Sequence, residues 1–312
     1  MAAAVCLAIG GLLSVHATAQ TRGTTHKKAA SPATAKPTST PAAATPTAAP
    51  AADTAPAAPV IPPVDVTTAT RALQPGEVVV VTVTPEGPAR YVDVKAFSRV
   101  AHAVALGDGS WRALAGIDLD TKPGPQALTI TIDRPGRPGA PQVVTGELTI
   151  KPKAFPTRKL TVDPALVEPP PEALARIARE TAKTNAIYKS PAPARADLGP
   201  FLRPVNEPAN SRFGSRSIFN GTRSSPHTGA DFLSGTGTPI KAPNYGTVRL
   251  AENLYFSGNT VIVDHGNGLF SLFAHLSEFK VHDGDSVAPG DVVGLVGATG
   301  RVTGPHLHWA LR

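Results

Sequence analysis

Five residues in the last third of this chain have the types and spacing to do chemistry together. His227 precedes Asp231 by four positions in SPHTGADF, His275 closes the apolar run of LFAHLS, and His306 and His308 alternate in GPHLHW. Leu307 and Trp309 favour a strand, because bulky apolar and aromatic side chains suit a pleated, half-buried surface. On a strand, residues i and i+2 share a face, so the imidazoles of His306 and His308 project into the same space. Two adjacent imidazoles repel when both are protonated, so such a pair suits a metal, an anion or proton transfer. Each signal alone is weak: His-x-x-x-Asp and His-x-His arise by chance, and two exposed histidines on a solvent face would be unremarked. Together they supply four imidazoles and one carboxylate within a single β-rich segment that has few other reasons to bury polar groups.

Zinc takes nitrogen and oxygen ligands in tetrahedral geometry, and a catalytic site keeps one position open for water. Two imidazoles and one carboxylate make such a set. Two histidines are then left beside the ion as proton carriers or as hydrogen-bond donors to a developing oxyanion. A purely structural site would use all its nitrogen ligands and often cysteine. No HExxH helix is present, so a glutamate base of that kind is not available. Gly229, Gly304, Pro226 and Pro305 are expected to let the chain bend sharply beside the ion. Two further histidines are assigned no chemistry. His265, in HGNG, is read as part of a hairpin turn and His282, in KVHDGDS, as part of a polar turn, and both are expected on the surface.

The elements that must position these residues are short strands punctuated by Gly and Pro, from about residue 201 to 312: KAPNYGTVRLAE, GNTVIVDHGNGLFSLFAHLS and DSVAPGDVVGLVG. Upstream, PPPEALARIARETAKTNAIY reads as a helix over 170–188, with prolines at its entry and Leu174, Ile177, Ala178 and Thr181 on one stripe. SPAPARADLGP then breaks it and reads as a hinge. Residues 69–155 carry β-branched alternating runs such as EVVVVTVTPEG and QALTITIDRPG between Pro/Gly turns, the pattern of an immunoglobulin-like β-sandwich. WRALAGIDLD is expected to add a core aromatic and an edge, and nothing in this region resembles a site. The fold class is therefore mainly β.

The remaining sequence concerns delivery. Residues 1–19 have the layout of a secretory signal peptide: an apolar core from Ala2 to Val15, then Ala17-Thr18-Ala19 as a small-x-small cleavage site. No Lys or Arg precedes the apolar run. Cys6, the single cysteine, sits inside this leader, so the processed protein would lack disulfides and thiol chemistry. Residues 20–68 are Ala/Pro/Thr-rich and read as an extended tether, with too little large apolar surface to offset the entropy of ordering. The formal charge of +7 invites a nucleic-acid reading. That reading weakens once the charge is divided, because residues 197–312 hold nine Lys and Arg against nine Asp and Glu. No basic–aromatic alternation of the kind that binds nucleic acid is present.

From about Pro204 onward the chain resembles the lysostaphin/LytM-type zinc endopeptidases of bacterial cell walls, on SRFGSR, SPHTGADF, GTPIKAPNYGTV, GNTVIVDHGNG, FAHLS and VHDGDSVAPGDVVGLVGATGRVTGPHLHW taken in order. The resemblance implies a catalytic β-sheet domain over 201–312 with a duplicated hybrid motif, and a zinc ion held by His227, Asp231 and His308. It also implies His275 and His306 as the catalytic histidines, peptidoglycan cross-link peptides as substrate, and a periplasmic or secreted location. The upstream β domain and helix are similar to proteobacterial members. FAHLS departs from the family's pattern in having Phe273-Ala274 where many members carry Tyr-Gly or Tyr-Ala, which bears on substrate contact rather than on the metal. Besides a wall-binding module in which zinc merely stiffens the fold, two rival readings remain. One is a catalytically silent relative that activates cell-wall amidases, which would be expected to lack one or more of the five residues. The other is a lipoyl-type carrier, which would need an exposed hairpin lysine that DGDSVAPGDVV does not supply.

Overall fold

In a computed structural model of the chain, the described residues are 13–14, 63–136, 140–160, 168–193, 195, 198–210, 213–221 and 223–312. The signal peptide expected over 1–19 lies outside them except for Leu13–Ser14, and so does the tether from 20 to 62. The fold is mainly β, with a single helix among the described residues.

The first unit is built by period-two alternation. Its strands are β1 (Leu13–Ser14), β2 (Val64–Ala69), β3 (Val78–Pro85), β4 (Tyr91–Ala96), β5 (Arg99–His102), β6 (Val104–Ala105), β7 (Trp111–Gly116), β8 (Gly124–Asp133) and β9 (Gln142–Ile150). They form two antiparallel sheets, β1-β2-β3-β7-β6 and β5-β4-β8-β9. Val79, Val81 and Val83 of one sheet meet Val92, Val94, Leu128, Ile130 and Ile132 of the other in a dry core, while the intervening residues face outward. The strand Val64–Ala69 begins inside the segment expected to be tether. Val66 and Thr68 are buried, and that side-chain burial outweighs the segment's turn-rich composition.

The helix, α1 (Pro171–Lys189), starts where Pro170 holds an extended backbone and Pro171 fills the first helical position. Its buried face differs from the expected stripe. Ala173 and Ile187 are buried, whereas Leu174 is 53% exposed. Ile187 and Tyr188 pack on Leu250, Leu254, Ile262, Phe270 and Leu272. Glu180 sits on the same face and accepts a hydrogen bond from the Tyr255 backbone N–H at 2.8 Å. A polar residue at the centre of the docked face is what hides that face from an apolar-periodicity reading.

Within the segment read as a hinge, residues 190–193 and 195 form a strap tied to the sheet. Ala192 N–H donates to the buried Asp264 carboxylate at 2.7 Å, and Arg249 donates to the same group at 2.9 Å and to the Ser190 carbonyl at 3.0 Å. Arg195 and Asn267 exchange two hydrogen bonds of 2.7 and 2.9 Å. A side chain at Gly266, where φ is +79°, would meet the Pro193 carbonyl at 2.6 Å.

Three strands lead into the site: β10 (Thr157–Leu160), β11 (Arg216–Phe219) and β12 (Arg223–Pro226), with β10 parallel to β11 and β11 antiparallel to β12. The main sheet follows, made of β13 (Ala230–Phe232), β14 (Pro239–Lys241), β15 (Gly246–Leu254), β16 (Gly258–Asp264), β17 (Phe270–Phe279), β18 (Ser286–Val287), β19 (Val292–Val296) and β20 (Leu307–Leu311). Its order is β13-β20-β17-β16-β15-β18, and β19 pairs with both β14 and β17. Phe232, Ile240, Val248, Val261, Phe273, Leu276, Val293 and Leu307 fill the core on one face, and α1 covers part of the other.

His265 corrects the surface reading. It does end β16 at a turn, but it is 0% exposed. Its Nδ1–H donates to the Tyr245 carbonyl at 2.7 Å, and Nε2 accepts from the Ser271 hydroxyl at 2.8 Å, which in turn accepts from the Trp309 indole N–H at 3.2 Å. Burial pushes its pKa down, so it is a neutral structural residue. His282, by contrast, is exposed as expected.

Candidate active site

The geometry begins with strand pairing. β13 and β20 run antiparallel with Asp231 directly opposite His308, so their side chains meet on one face. The β11–β12 hairpin delivers His227 to the same place, where its backbone N–H donates to the Ser215 carbonyl and its carbonyl accepts from Gly214 N–H, both at 2.8 Å. His227 Nε2 lies 3.0 Å from Asp231 Oδ1 and 3.1 Å from His308 Nδ1, and His308 Nδ1 lies 2.9 Å from the same Asp231 oxygen. Two ring nitrogens and one carboxylate oxygen therefore form a nearly equilateral triangle. A tetrahedral ion with ligands at about 2.0–2.1 Å spaces its donors by roughly 3.3 Å, so this set fits a small divalent ion with only slight expansion.

Gly229 makes the triangle possible. A Cβ at this position would lie 2.6 Å from the Trp309 carbonyl and 2.7 Å from His308 Nε2. The glycine is needed for space rather than for the sharp bend expected of it. A Cβ at Gly304 would meet nothing within 4 Å, and that residue contributes its carbonyl instead.

His275 and His306 flank the triangle. β20 pairs with β17 so that Ala274 is opposite His308, and His275 follows at a point where the β16–β17 register shifts. His275 adopts φ +67°, a left-handed conformation that costs a non-glycine residue on the order of 1–3 kcal/mol and is found at functional sites. Its ring centroid lies 4.9 Å from that of His306 and 6.1 Å from that of His308. His275 Nδ1–H donates to the Thr299 carbonyl and His306 Nδ1–H to the Gly304 carbonyl, both at 2.9 Å. These bonds turn each ring so that Nε2 faces the site, and His306 Nε2 is 3.8 Å from Asp231 Oδ1.

The electrostatics suit cation binding. Burial opposes ionisation of Asp231, but the contacts from His227 and His308 outweigh it and hold the carboxyl far below the ordinary carboxylate range. His275 is pushed down to about 4, by burial first and then by the neighbouring His306 and His308, against the opposing pull of the Thr299 carbonyl and Asp231. It is neutral at physiological pH. All five residues singled out in the sequence are thus brought together. The sequence does not single out the carbonyl partners Thr299 and Gly304; the one local signal is the run GATGRVTG, a turn between the last two strands that holds both. Tyr245 lies on the strap side, under the Arg195 guanidinium at 5.3 Å, and its carbonyl serves His265.

Among known proteins, the sequence profile described as Peptidase family M23 matches residues 225–312. The chain is 42% identical over 103 residues to peptidoglycan DD-endopeptidase ShyA of Vibrio cholerae, covering 33% of this chain and 24% of that protein. It is 44% identical over 86 residues to DD-carboxypeptidase/endopeptidase Mpg of Neisseria meningitidis, covering 28% of this chain and 20% of that one. The matched stretches thus span a quarter or less of those relatives' own length. A crystal structure described as a peptidase M23 from Pseudomonas aeruginosa superposes with a TM-score of 0.60 at 35% identity, over 77% of this chain and 90% of the other. That likeness runs well beyond the matched domain and nearly the full length of the solved chain, and with it the chain belongs to peptidase family M23.

Proposed function

We propose that this protein is a zinc-dependent endopeptidase that hydrolyses the peptide cross-links of bacterial peptidoglycan. In this reading His227, Asp231 and His308 hold the ion, and His275 and His306 serve catalysis. The observation that carries it is the convergence of two imidazole nitrogens and one carboxylate oxygen within 4.8 Å of one another, beside two further imidazoles held in one tautomer. Borderline nitrogen and oxygen donors with no thiol suit zinc. A bound zinc ion supplies Lewis acidity and lowers the pKa of water towards neutrality.

The chain's own residues do the rest. His275, kept neutral by burial, offers its Nε2 lone pair to a proton leaving the attacking water. The proton that His275 takes from water would pass to the departing amine nitrogen as the C–N bond breaks, and His306, in its imidazolium form, would donate from Nε2 to the negative charge growing on the carbonyl oxygen. Both keep their Nδ1 protons on backbone carbonyls, so neither ring has to turn during the reaction. The names of the relatives favour peptidoglycan as substrate, and the apolar leader favours export to the periplasm or beyond, where that polymer lies. We further propose that the sandwich of 69–155 is a structural or adhesive unit and that 201–312 is the hydrolytic one. No helix among the described residues is long and apolar enough to cross a membrane.

The test is digestion of purified sacculi by the full chain, followed by mass analysis of the muropeptides. New peptide termini with the lactyl amide intact are expected. Free lactyl groups would make the protein an amidase. Failure to bind zinc together with intact sacculi would favour a silent activator of amidases.

A further inference from the structure

The residue that holds His275 in place is itself unusually well tied. His275 sits where β16 and β17 lose register: Asn259 pairs with Leu276, but Val261 pairs with Phe273, so β17 carries one extra residue against Thr260. A bulge of this kind leaves ladder groups without strand partners, and here one side chain takes them up. The Thr299 hydroxyl accepts from Asn259 N–H at 2.9 Å and donates to the Leu276 carbonyl at 2.8 Å. The carbonyl of the same residue accepts His275 Nδ1–H at 2.9 Å. Close packing leaves the loop no slack. A Cβ at Gly258 would meet the Thr299 backbone at 2.3 Å, and one at Gly300 would meet Gly258 N at 2.4 Å. Arg301 N–H closes the other side on the Phe256 carbonyl at 2.9 Å.

We propose that Thr299 is a positioning residue for the hydrolytic reaction: its hydroxyl pins the β17 bulge to the loop whose carbonyl fixes the His275 tautomer, so that Nε2 faces the reacting atoms. Thr299 is not one of the His227–Asp231–His308 donors. Its effect passes through the orientation of His275, and substrate contacts and the His227–Asp231–His308 triangle are left as they are. The inference rests on the endopeptidase reading for its kinetic consequence but not for its structural one.

The test uses the full chain with three substitutions. Thr299→Val keeps the shape and removes the hydroxyl, Thr299→Ser keeps the hydroxyl, and Thr299→Ala serves if the valine variant does not fold. Expected for valine or alanine is a fall in kcat of about 10- to 100-fold, the range typical for residues that orient a reacting group, with KM within about twofold and zinc content unchanged. Thr299→Ser should recover most of kcat. Independently of any substrate, imidazole nitrogen NMR should show His275 as a single Nδ1–H tautomer in the parent and serine variant and as a mixture in the valine variant, assigned by its disappearance in His275→Asn. Unchanged kcat in Thr299→Val, a serine variant no better than valine, or a single His275 tautomer in all variants would overturn the proposal. If the parent itself cleaves nothing while the tautomer still responds, the endopeptidase reading has failed and the positioning role stands.

Discussion

Gly229 and His308 compete for one volume. The space that a Cβ at position 229 would occupy is filled by the His308 imidazole, whose Nε2 would lie 2.7 Å from it. Since the same ring points Nδ1 at Asp231, any side chain at 229 must push a proposed ligand off its target. Gly229→Ala also meets the Trp309 carbonyl of β20 at 2.6 Å, and it is expected to weaken metal affinity by about tenfold or more. Competition with a chromophoric chelator measures this, and a parent-like affinity would show that the ring has room to yield.

Ligand and proton-handling roles should separate. Asp231→Ala removes one corner of the triangle and is expected to lose zinc. His306→Ala should keep zinc and its unfolding midpoint while turnover falls by roughly 10²- to 10⁴-fold. Elemental analysis alongside sacculus digestion distinguishes the two, and a His306→Ala protein that cleaves as fast as the parent would remove that residue from the mechanism.

The strap should matter for stability. The Asp264 carboxylate is fully buried and is shared by Arg249, Ala192 N–H and Gly266 N–H. Asp264→Ala leaves two backbone donors without their acceptor and Arg249 with only its Ser190 partners, which should destabilise the C-terminal unit by about 2–4 kcal/mol. Urea unfolding reads the change. Limited proteolysis should also open between 190 and 200 in the variant before the parent is cut.

Metal-free protein should lose stability on mild acidification. His265 and His275 both have folded pKa values depressed by burial, His275 to about 4 against an ordinary 6.5. Below 6.5 the unfolded chain takes up protons that the folded chain refuses. The stabilisation from the neutral rings is therefore complete above that value and is lost as pH falls below it, for His275 through about 4. For His275 this is on the order of 3 kcal/mol. Asp231, depressed in the other charge sense, adds a further loss below its unfolded value near 3.8. Thermal unfolding of chelator-treated protein across pH 4–8 checks this, and a flat profile between 7 and 4.5 would contradict it.

The amino-acid sequence alone determined the donor types, the alternation that builds both β regions and the shared face of His306 and His308. These are local properties: a strand's period of two sends alternate side chains the same way wherever the strand is placed. It also sufficed for the existence of the helix, whose end signals are local too. Which polar groups meet was decided only by tertiary pairing. Asp231 and His308 are 77 positions apart and are joined by the register of β13 on β20. The docked face of α1 turned on Glu180 finding the Tyr255 N–H, and His265 was buried because Tyr245 and Ser271 arrive from other strands to satisfy both its nitrogens. A polar side chain is buried where distant backbone and hydroxyl groups supply its hydrogen bonds, and residue spacing holds no record of those partners.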